Sequence, residues 1–286
     1  MNQTTEKLGL VLEGGALRGL FSVGVMDVMM EADITFNGIV GVSAGAAFGC
    51  NYKSHQPKRA LRYNQQFAKD RRYCGLWSWI TTGNLFNAEF SYHIVPNEYD
   101  IFDNETFMKD PTEYHIVCTD ITTGKPFYKR VTEGGDTLYE WIRASASMPV
   151  AARPVEMEGR LLLDGGMTDS IPLRYFQQQG FSKNIVILTQ PPGYVKHTSR
   201  ALPLIRLVYR RHPKVADAMA ARPDMYNAQL KYVDKEVKRG TTLVIQPQTT
   251  LPIHHLSNDP DEMQQVYQMG RDAAMQQIDK IKAFCL

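Results

Sequence analysis

A serine stands between two glycines in the segment Gly41–Gly45, whose sequence GVSAG has the pattern G-x-S-x-G. This pattern is typical of a nucleophile elbow, a sharp strand-to-helix turn that exposes the serine hydroxyl. Residues two before and two after the serine come close together in such a turn, so glycine fits best at both positions. The apolar run Gly38–Val42 predicts the strand that enters this turn. We therefore predict that Ser43 is a nucleophile and that Gly41 and Gly45 support its turn.

A glycine-rich segment, Gly14–Gly19 with the sequence GGALRG, directly follows the first predicted strand. Backbone N–H groups at a glycine-rich strand-to-helix turn can converge on an anion. In a hydrolase that anion is the tetrahedral oxyanion, and each donor contributes roughly 10²–10³ in rate. We expect Arg18 and Gly19 to support this loop. The predicted oxyanion-hole residues are Gly14, Gly15 and Ala16.

Two other phosphate-binding turns fit this segment less well. A dinucleotide-binding turn has the pattern G-x-G-x-x-G, but Ala16 occupies the position of the middle glycine. It also needs an acidic residue at the end of the second strand, where Val42 and Ser43 stand instead. A Walker loop needs a Gly-Lys-Ser/Thr sequence, which does not follow. The oxyanion interpretation is therefore favoured.

A carboxylate that could serve as general base is Asp164, which follows the apolar run Leu161–Leu163 and precedes Gly165 and Gly166. Taken alone, an Asp-Gly sequence is more typical of an ordinary turn. A serine nucleophile, however, requires a base within hydrogen-bond reach, and an aspartate can act as that base if its surroundings tune its pKa. Strand ends at one edge of a parallel sheet bring distant residues together. We therefore expect Asp164 to lie beside Ser43, with the two glycines supporting it.

The elements that must position these residues alternate between short apolar strands and amphipathic helices, which predicts an α/β fold. Strands are predicted at Leu8–Leu12, Gly38–Val42, His115–Thr119, Lys125–Val131, Leu161–Leu163, Asn184–Thr189 and Thr241–Gln246. Helices are predicted near residues 21–29, 57–70, 137–146, 203–211, 223–238 and 260–284. We expect a mostly parallel sheet covered on both faces by helices. The Pro-Pro-Gly sequence at residues 191–193 suggests a catalytic domain over residues 1–195 and a helical C-terminal extension over residues 196–286, packed on the core.

The three segments, in this order, resemble the patatin-like phospholipase family, which carries a glycine-rich oxyanion loop, a G-x-S-x-G and an Asp-Gly-Gly or Asp-Gly-Ala. The sequence ASASMP at Ala144–Pro149 also resembles the family's Ala-Ser…Pro segment. The resemblance covers roughly residues 8–190. It implies a Ser43–Asp164 dyad, a three-layer α/β/α fold and hydrolysis of acyl esters, often lipids, without metal or cofactor. Two features depart from the family pattern: Ala16 replaces a glycine, and the residues after 190 match nothing in the family core.

Composition narrows the class of protein. A formal net charge of +2 on 286 residues gives no indication of a nucleic-acid partner. No run of about 18 apolar residues is present, and the N-terminal sequence lacks the pattern of a secretory signal. Four widely spaced cysteines suggest free thiols in a reducing compartment. We expect a cytoplasmic enzyme whose contact with the membrane is peripheral, at its inner face. The sequence predicts no oligomeric state.

Two alternative functions stay open. A Ser–His–Asp hydrolase would need a histidine after the acid, and His197, His212, His254 or His255 could take that place. Ser43, however, follows only the second predicted strand, earlier than in that fold. A second alternative is an inactive lipid-binding or interaction module on the same fold.

Two surface features also have two interpretations each. The aromatic stretch Tyr73–Tyr92 fits a lid that touches lipid, but we favour a helical insertion that packs its aromatics into the core. Basic residues near the apolar run 204–208 fit either contact with anionic lipid or, more simply, a solvated helix face.

Overall fold

The computed structural model describes residues 6–254 and 257–286, and these contain one mixed sheet of eight strands. The strands are β1 Leu8–Leu12, β2 Gly38–Val42, β3 Glu113–Asp120, β4 Lys125–Val131, β5 Val155–Met157, β6 Arg160–Asp164, β7 Lys183–Ile187 and β8 Thr242–Ile245. Their order is β5-β6-β3-β2-β1-β7-β8, and β4 pairs with β3. The central run β3-β2-β1-β7-β8 is parallel, whereas β4, β5 and β6 pair antiparallel.

Helices follow most strands. They are α1 Gly19–Glu31, α2 Ala44–Lys53, α3 Arg59–Phe67, α4 Leu76–Thr82, α5 Asn104–Lys109, α6 Gly135–Ala146, α7 Leu173–Gln178, α8 Leu202–Val208, α9 Pro213–Lys238, α10 Pro260–Met275 and α11 Ile278–Cys285. A π-helical segment spans Phe90–Tyr99, and short 3-10 turns span Ala16–Arg18 and Gly165–Met167. In the described part of the chain, no helix is both long and apolar enough to cross a membrane.

Alternate residues of the central strands face two separate apolar cores. Leu10 and Leu12 of β1 pack in the core that contains α1, α2, α6 and α10. Val11, between them, packs in the core that contains α7 and α9. This alternation follows from the two-residue period of a strand, and it places one helical layer on each face of the sheet. The predicted three-layer α/β/α fold is confirmed.

The helices after residue 195 differ from the prediction at their boundaries. Helix α9 begins at Pro213 and continues through Pro223, where the sequence predicted a start. Pro213 lies in the first turn, where its missing N–H costs nothing. Buried residues on both sides of Pro223, Val215 and Tyr226 among them, hold the helix together through the interior proline. The predicted helix 260–284 is two helices, α10 and α11, separated at Gln276 and Gln277.

The segment after residue 195 also belongs to the sheet and its covering layer. Strand β8 pairs in parallel with β7. Helix α10 crosses α1 at two glycines, because a Cβ on Gly24 would lie 2.1 Å from the Tyr267 oxygen and one on Gly270 would lie 2.0 Å from the Phe21 oxygen. The two backbones therefore touch where neither residue has a side chain. The division into domains 1–195 and 196–286 stays a prediction.

Candidate active site

Ser43 lies in a strained turn between β2 and α2. Its φ of 54° and ψ of −121° place a non-glycine residue at positive φ. A Cβ on Gly41 would lie 2.5 Å from the Gly45 oxygen, and one on Gly45 would lie 2.4 Å from the Leu12 oxygen. Backbone therefore approaches both positions too closely for any side chain. This is the geometry of a nucleophile elbow.

Asp164 reaches Ser43 through an arrangement of strands that the sequence did not predict. Strand β4 occupies one edge of β3 along its length, so β2 and β6 share the other edge. Val42, at the end of β2, pairs with Val117, and Asp164, at the end of β6, pairs with the next residue, Cys118. The two strands run in opposite directions and meet end to end. The expected proximity therefore comes from an antiparallel strand rather than from the edge of a parallel sheet.

The carboxyl of Asp164 is buried and held in place. Its Oδ1 accepts a hydrogen bond of 2.7 Å from the Gly166 N–H, and its backbone N–H donates to the Ser147 oxygen at 2.8 Å. Burial raises the pKa of Asp164, while hydrogen bonding with Ser43, the positive charge of Arg222 and the Gly166 N–H oppose that rise. Such an environment favours a carboxylate that can exchange a proton with the adjacent hydroxyl.

The glycine-rich loop lies directly against Ser43. A Cβ on Gly14 would lie 2.8 Å from the Val42 oxygen and 2.9 Å from the Ser43 Cβ, so only glycine permits this approach. Ala16 has a φ of 48° and begins the 3-10 turn that leads into α1. Gly15 packs against the Thr189 side chain, which a Cβ would meet at 2.7 Å.

The supporting residues of these segments lie nearby. Arg18 ends the 3-10 turn and is half-buried. Gly19 permits close packing of α1 on α2, because a Cβ there would lie 3.0 Å from the Ala44 Cβ. Gly165 packs on the backbone of β3, where a Cβ would lie 2.2 Å from the Val117 oxygen. The structure thus brings all three sequence segments together.

The segment Ala144–Pro149 joins the two halves of this site, a role that the sequence analysis did not assign. The Ser145 hydroxyl accepts a hydrogen bond from the Ser43 N–H at 2.9 Å and donates one to the Val117 oxygen at 2.6 Å. Ser147 contributes the backbone oxygen that receives the Asp164 N–H. Two alternate serines at the end of α6 therefore fix the nucleophile turn and the acid.

Arg222 is a second residue that the sequence analysis missed. It lies on α9, within a region predicted to be a separate extension, and its Nε donates to the Gly166 oxygen at 2.6 Å. No motif marks it, because its position depends on how α9 packs against the sheet. Only its helical spacing from buried residues such as Tyr226 could have suggested an inward-facing side chain.

A cavity of about 490 Å³ opens above Ser43 and is mostly apolar. Its walls include Leu17, Phe48, Phe86, Val95, Ile142 and Met148. Several polar groups in the wall have protein partners: the Tyr73 hydroxyl donates to Asn64 at 3.0 Å, and Arg59 pairs with Asp100. The interior is therefore suited to an apolar chain rather than to a polar ligand.

The histidines that the structure describes do not take part in this arrangement. None of those in the described ranges, 6–254 and 257–286, lines the cavity above Ser43. His93 hydrogen bonds with Asp136 and Glu140, and the buried His115 with Tyr175 and Glu113. His255, one of the candidates for a triad, lies outside the described residues. Within the same ranges no group of His, Cys, Asp or Glu side chains could hold a metal ion.

The aromatic stretch Tyr73–Tyr92 combines both predicted arrangements. Tyr73 and Phe90 are buried in a small cluster, as the core interpretation predicted. Helix α4, within the stretch, instead exposes its large apolar side chains, with Leu76 68% and Trp77 63% exposed. The favoured interpretation was therefore wrong for α4. Helix α4 has seven residues, and one side of it faces solvent, so it cannot bury all of its aromatic side chains.

Comparisons with known proteins identify the family, and the chain spans less than two thirds of the curated relatives' length. Residues 10–176 match the family model of the patatin-like phospholipases, and residues 212–286 match that of a domain of unknown function, DUF6363. The uncharacterized protein YjjU of Escherichia coli is 29% identical over 240 residues, which are 74% of this chain and 63% of YjjU. Lysophospholipase NTE1 of Chaetomium globosum is 27% identical over 182 residues, which are 61% of this chain and 11% of that protein. The crystal structure of VipD from Legionella pneumophila aligns with a TM-score of 0.46 at 11% identity, covering 96% of this chain and 67% of VipD.

Proposed function

The chain belongs to the patatin-like phospholipase family, and we propose that it is a serine acyl-ester hydrolase that acts on lipid esters with Ser43 as nucleophile and Asp164 as base. One observation carries the proposal: strained Ser43 lines an apolar cavity and hydrogen bonds with the buried carboxyl of Asp164. A structural Asp-Gly turn would not require the serine, the acid and the glycine loop to converge there.

In the first step, the Asp164 carboxylate accepts the Ser43 proton as Oγ attacks the ester carbonyl carbon. The carbonyl oxygen becomes an oxyanion, which N–H groups of the Gly14–Ala16 loop stabilise. Collapse of the tetrahedral intermediate breaks the bond to the alcohol, and that alcohol takes the proton from Asp164. Water then donates a proton to Asp164 and attacks the acyl-enzyme, which releases the acid and returns the proton to Ser43. Neither a metal nor a cofactor takes part in this scheme.

The cavity supports a lipid with one acyl chain inside the protein. Its wall is largely aromatic and aliphatic, so a hydrocarbon chain that enters it leaves water for an apolar environment. The name of the fungal relative, a lysophospholipase, agrees with a substrate that carries one acyl chain. We therefore propose lysolipids and comparable single-chain esters as the substrate class.

An exposed apolar face beside the cavity supports peripheral contact with a membrane. Leu76, Trp77 and Ile80 of α4 are exposed, as are Leu207 and Val208 of α8. The two helices flank the loop 147–152, in which Met148 and Ala151 line the cavity. The Trp79 indole donates to the Val150 oxygen at 2.8 Å, and the buried Ile205 of α8 packs in the same cluster as Val150. We call these two exposed helical surfaces and the loop between them the rim face.

The charge around the rim face suits an anionic bilayer. From residue 191 to residue 216 the sequence contains no Asp or Glu. Within that stretch lie the exposed cations Arg206, Arg210, Arg211 and Lys214. Trp and Leu side chains enter the headgroup region while nearby cations attract anionic lipid. In the proposed function, this contact holds the cavity entrance at the inner face of the membrane, where the substrate resides.

The test is hydrolysis of a short p-nitrophenyl ester and of lysophosphatidylcholine by wild type, Ser43→Ala and Asp164→Asn. We expect both variants to lose at least about 10³-fold in kcat/KM while keeping the wild-type circular dichroism spectrum. A fluorophosphonate should label wild type at Ser43 and leave Ser43→Ala unlabelled. An activity of Asp164→Asn near that of wild type would move the base to another residue. A wild type that neither turns over an ester nor reacts with the probe would point to the inactive lipid-binding module.

A further inference from the structure

Two side chains of α9 contact different parts of the proposed active site. Arg222 bonds to the turn that follows Asp164, and Tyr226 bonds to Glu13, which precedes the glycine-rich loop. They are four residues apart, so they lie one above the other on one face of the helix. Neither falls within the 10–176 family match, and both fall within the 212–286 match to a domain of unknown function.

Arg222 acts on the turn that follows the catalytic acid. The Arg222 Nε donates to the Gly166 oxygen at 2.6 Å. The Gly166 N–H in turn donates to Asp164 Oδ1 at 2.7 Å. A Cβ on Gly166 would lie 3.0 Å from Asp164 Oδ1 and 3.3 Å from Arg222 Nη2, so carboxyl and guanidinium share one side of this residue. Arg222 therefore holds the peptide that caps the carboxylate and places a positive charge beside it.

Tyr226 acts on the strand end that carries the glycine loop. Its hydroxyl donates to Glu13 Oε1 at 2.6 Å, and Glu13 Oε2 accepts the Thr189 N–H at 2.6 Å. Glu13 is buried and directly precedes Gly14. Because Thr189 also packs against Gly15, this chain of hydrogen bonds fixes both sides of the proposed oxyanion loop.

We propose that α9 completes the active site, with Arg222 as a positioning residue that orients Asp164 and keeps it ionised, and Tyr226 as a positioning residue for the oxyanion loop. This inference rests on the proposed function of Ser43 and Asp164. It gives a role to α9, which lies outside the 10–176 family match. This helix supports the active site from the face of the sheet opposite to the one that α2 covers.

The electrostatic part of the proposal depends on which groups face Asp164. The side chains that interact with its charge are Tyr92 of the π-helical segment, Cys118 of β3 and Arg222 of α9. Burial raises the pKa of the Tyr92 hydroxyl and that of the Cys118 thiol, so both stay neutral near pH 7. Lys196, over the Tyr226 ring at 4.4 Å, lies near Arg222 and the buried Glu13. Among the residues that the structure describes, Arg222 is therefore the cation that acts on Asp164.

The experiment compares Arg222→Gln, Arg222→Lys and Tyr226→Phe with wild type in the full chain. Lys231→Gln, an exposed lysine on the same helix, is the matched control. The readouts are kcat/KM for a soluble p-nitrophenyl ester, and the rate of fluorophosphonate labelling at Ser43, each as a function of pH.

We expect Arg222→Gln to lose about 10- to 100-fold in kcat/KM and to move the acid limb of the profile up by about one pH unit. Arg222→Lys should restore the position of the limb, since it keeps a charge, but not the full rate, since it loses the planar donor. Tyr226→Phe should lower kcat/KM by about tenfold and leave the acid limb unchanged. Lys231→Gln should match wild type.

If Arg222 has only a structural role, Arg222→Gln will lower the melting temperature, and the acid limb of the folded protein will stay at the wild-type pH. That result would overturn the proposal. If Arg222→Gln fails to fold, the limb and rate of Arg222→Lys decide between the two roles. Failure of the proposed function is a separate result, because wild type itself would then neither turn over esters nor be labelled at Ser43.

Discussion

The hydroxyl of Ser145 accepts a hydrogen bond from the backbone N–H of Ser43 at 2.9 Å and donates one to the Val117 oxygen at 2.6 Å. A single buried side chain therefore ties the nucleophile turn to β3. The N–H of Ser43 and the oxygen of Val117 would otherwise lie unpaired at the point where β2 ends and β6 has not yet begun. This contact explains why a serine, rather than a larger or apolar residue, stands at the end of α6.

Replacing this serine should affect both stability and rate. Ser145→Ala leaves two polar groups without partners, so we expect a loss of about 1–3 kcal/mol in the free energy of unfolding and about tenfold in kcat/KM. Urea denaturation and ester hydrolysis measure the two effects. Ser22→Ala is the matched control, because the Ser22 hydroxyl is buried without a hydrogen-bond partner in the described structure. Equal stability of the two variants would argue against the bridging role.

The tightness of the elbow can be tested with one methyl group. In Gly45→Ala, the new Cβ would lie 2.4 Å from the backbone oxygen of Leu12, which cannot move without distorting β1. We expect a loss of at least about 3 kcal/mol in the free energy of unfolding, together with loss of activity. In Gly49→Ala, one turn further along α2, the Cβ meets the Leu12 side chain, which can rotate, so a loss of only about 1 kcal/mol is expected. Thermal melts of both variants that coincide would contradict this geometry.

Asp27 should make stability depend on pH. Burial raises the pKa of Asp27 to about 6, although the Tyr267 hydroxyl and the Lys58 N–H both donate to its Oδ2, at 2.7 and 2.9 Å. Because the folded pKa exceeds the unfolded value of about 3.9, the native state is favoured at low pH and loses that advantage between about pH 4 and about pH 6. An asparagine oxygen can keep both hydrogen bonds without titrating.

We therefore expect wild type to lose about 2–3 kcal/mol more stability than Asp27→Asn between about pH 4 and about pH 7. Urea denaturation at several pH values in this range measures the difference. Asp33→Asn, which changes an exposed carboxylate near the end of the same helix, should follow wild type. Parallel curves for wild type and Asp27→Asn would show that the buried carboxyl does not titrate in this range.

The rim face predicts selective binding to anionic vesicles. In a Ser43→Ala background, which prevents turnover, flotation should recover the protein with phosphatidylcholine–phosphatidylglycerol vesicles and much less of it with phosphatidylcholine alone. Removing the charges in Arg210→Gln with Arg211→Gln should lower the partition coefficient about fivefold per charge. Trp77→Ser with Leu76→Ser should lower it at least about tenfold.

A control distinguishes binding through the rim face from non-specific adsorption of exposed apolar side chains to vesicles. Met275→Ser removes an exposed apolar side chain from α10 and should leave vesicle binding unchanged. Hydrolysis of a soluble short-chain ester should be unaffected by the rim-face substitutions in an otherwise wild-type chain. Equal binding to both vesicle types would contradict the role of the cations.

Much of the site was predictable because its segments are local. The hairpin from β5 to β6 turns at Glu158 and Gly159, which have φ values of 50° and 70°. The strands predicted at Leu8–Leu12, Gly38–Val42 and Lys125–Val131 coincide with β1, β2 and β4. Strands, turns and glycine positions depend mainly on neighbouring residues, so a single sequence records them well.

What the sequence did not indicate depends on contacts between distant segments. The role of Arg222 depends on the packing of α9 against the end of β6, which lies more than fifty positions away in the chain. The prediction that β6 belongs to the parallel part of the sheet was wrong, because the pattern of apolar residues in a strand does not indicate the strand's direction. Helix α4 was expected to be buried, since its composition is that of a core helix and only its neighbours leave it exposed.

The close crossing of α1 and α10 at Gly24 and Gly270 has a consequence for the order in which the protein forms on the ribosome. Helix α1 is synthesised early, and nearly its whole surface is apolar in the folded protein's interior. One face of α1 packs against α10, which ends 244 positions after Glu31, at Met275. During synthesis at about 5–20 residues per second, this face of α1 stays uncovered for roughly ten seconds or more. We therefore expect the nascent chain to need a chaperone until α10 emerges, and any translational pause before residue 260 to favour aggregation.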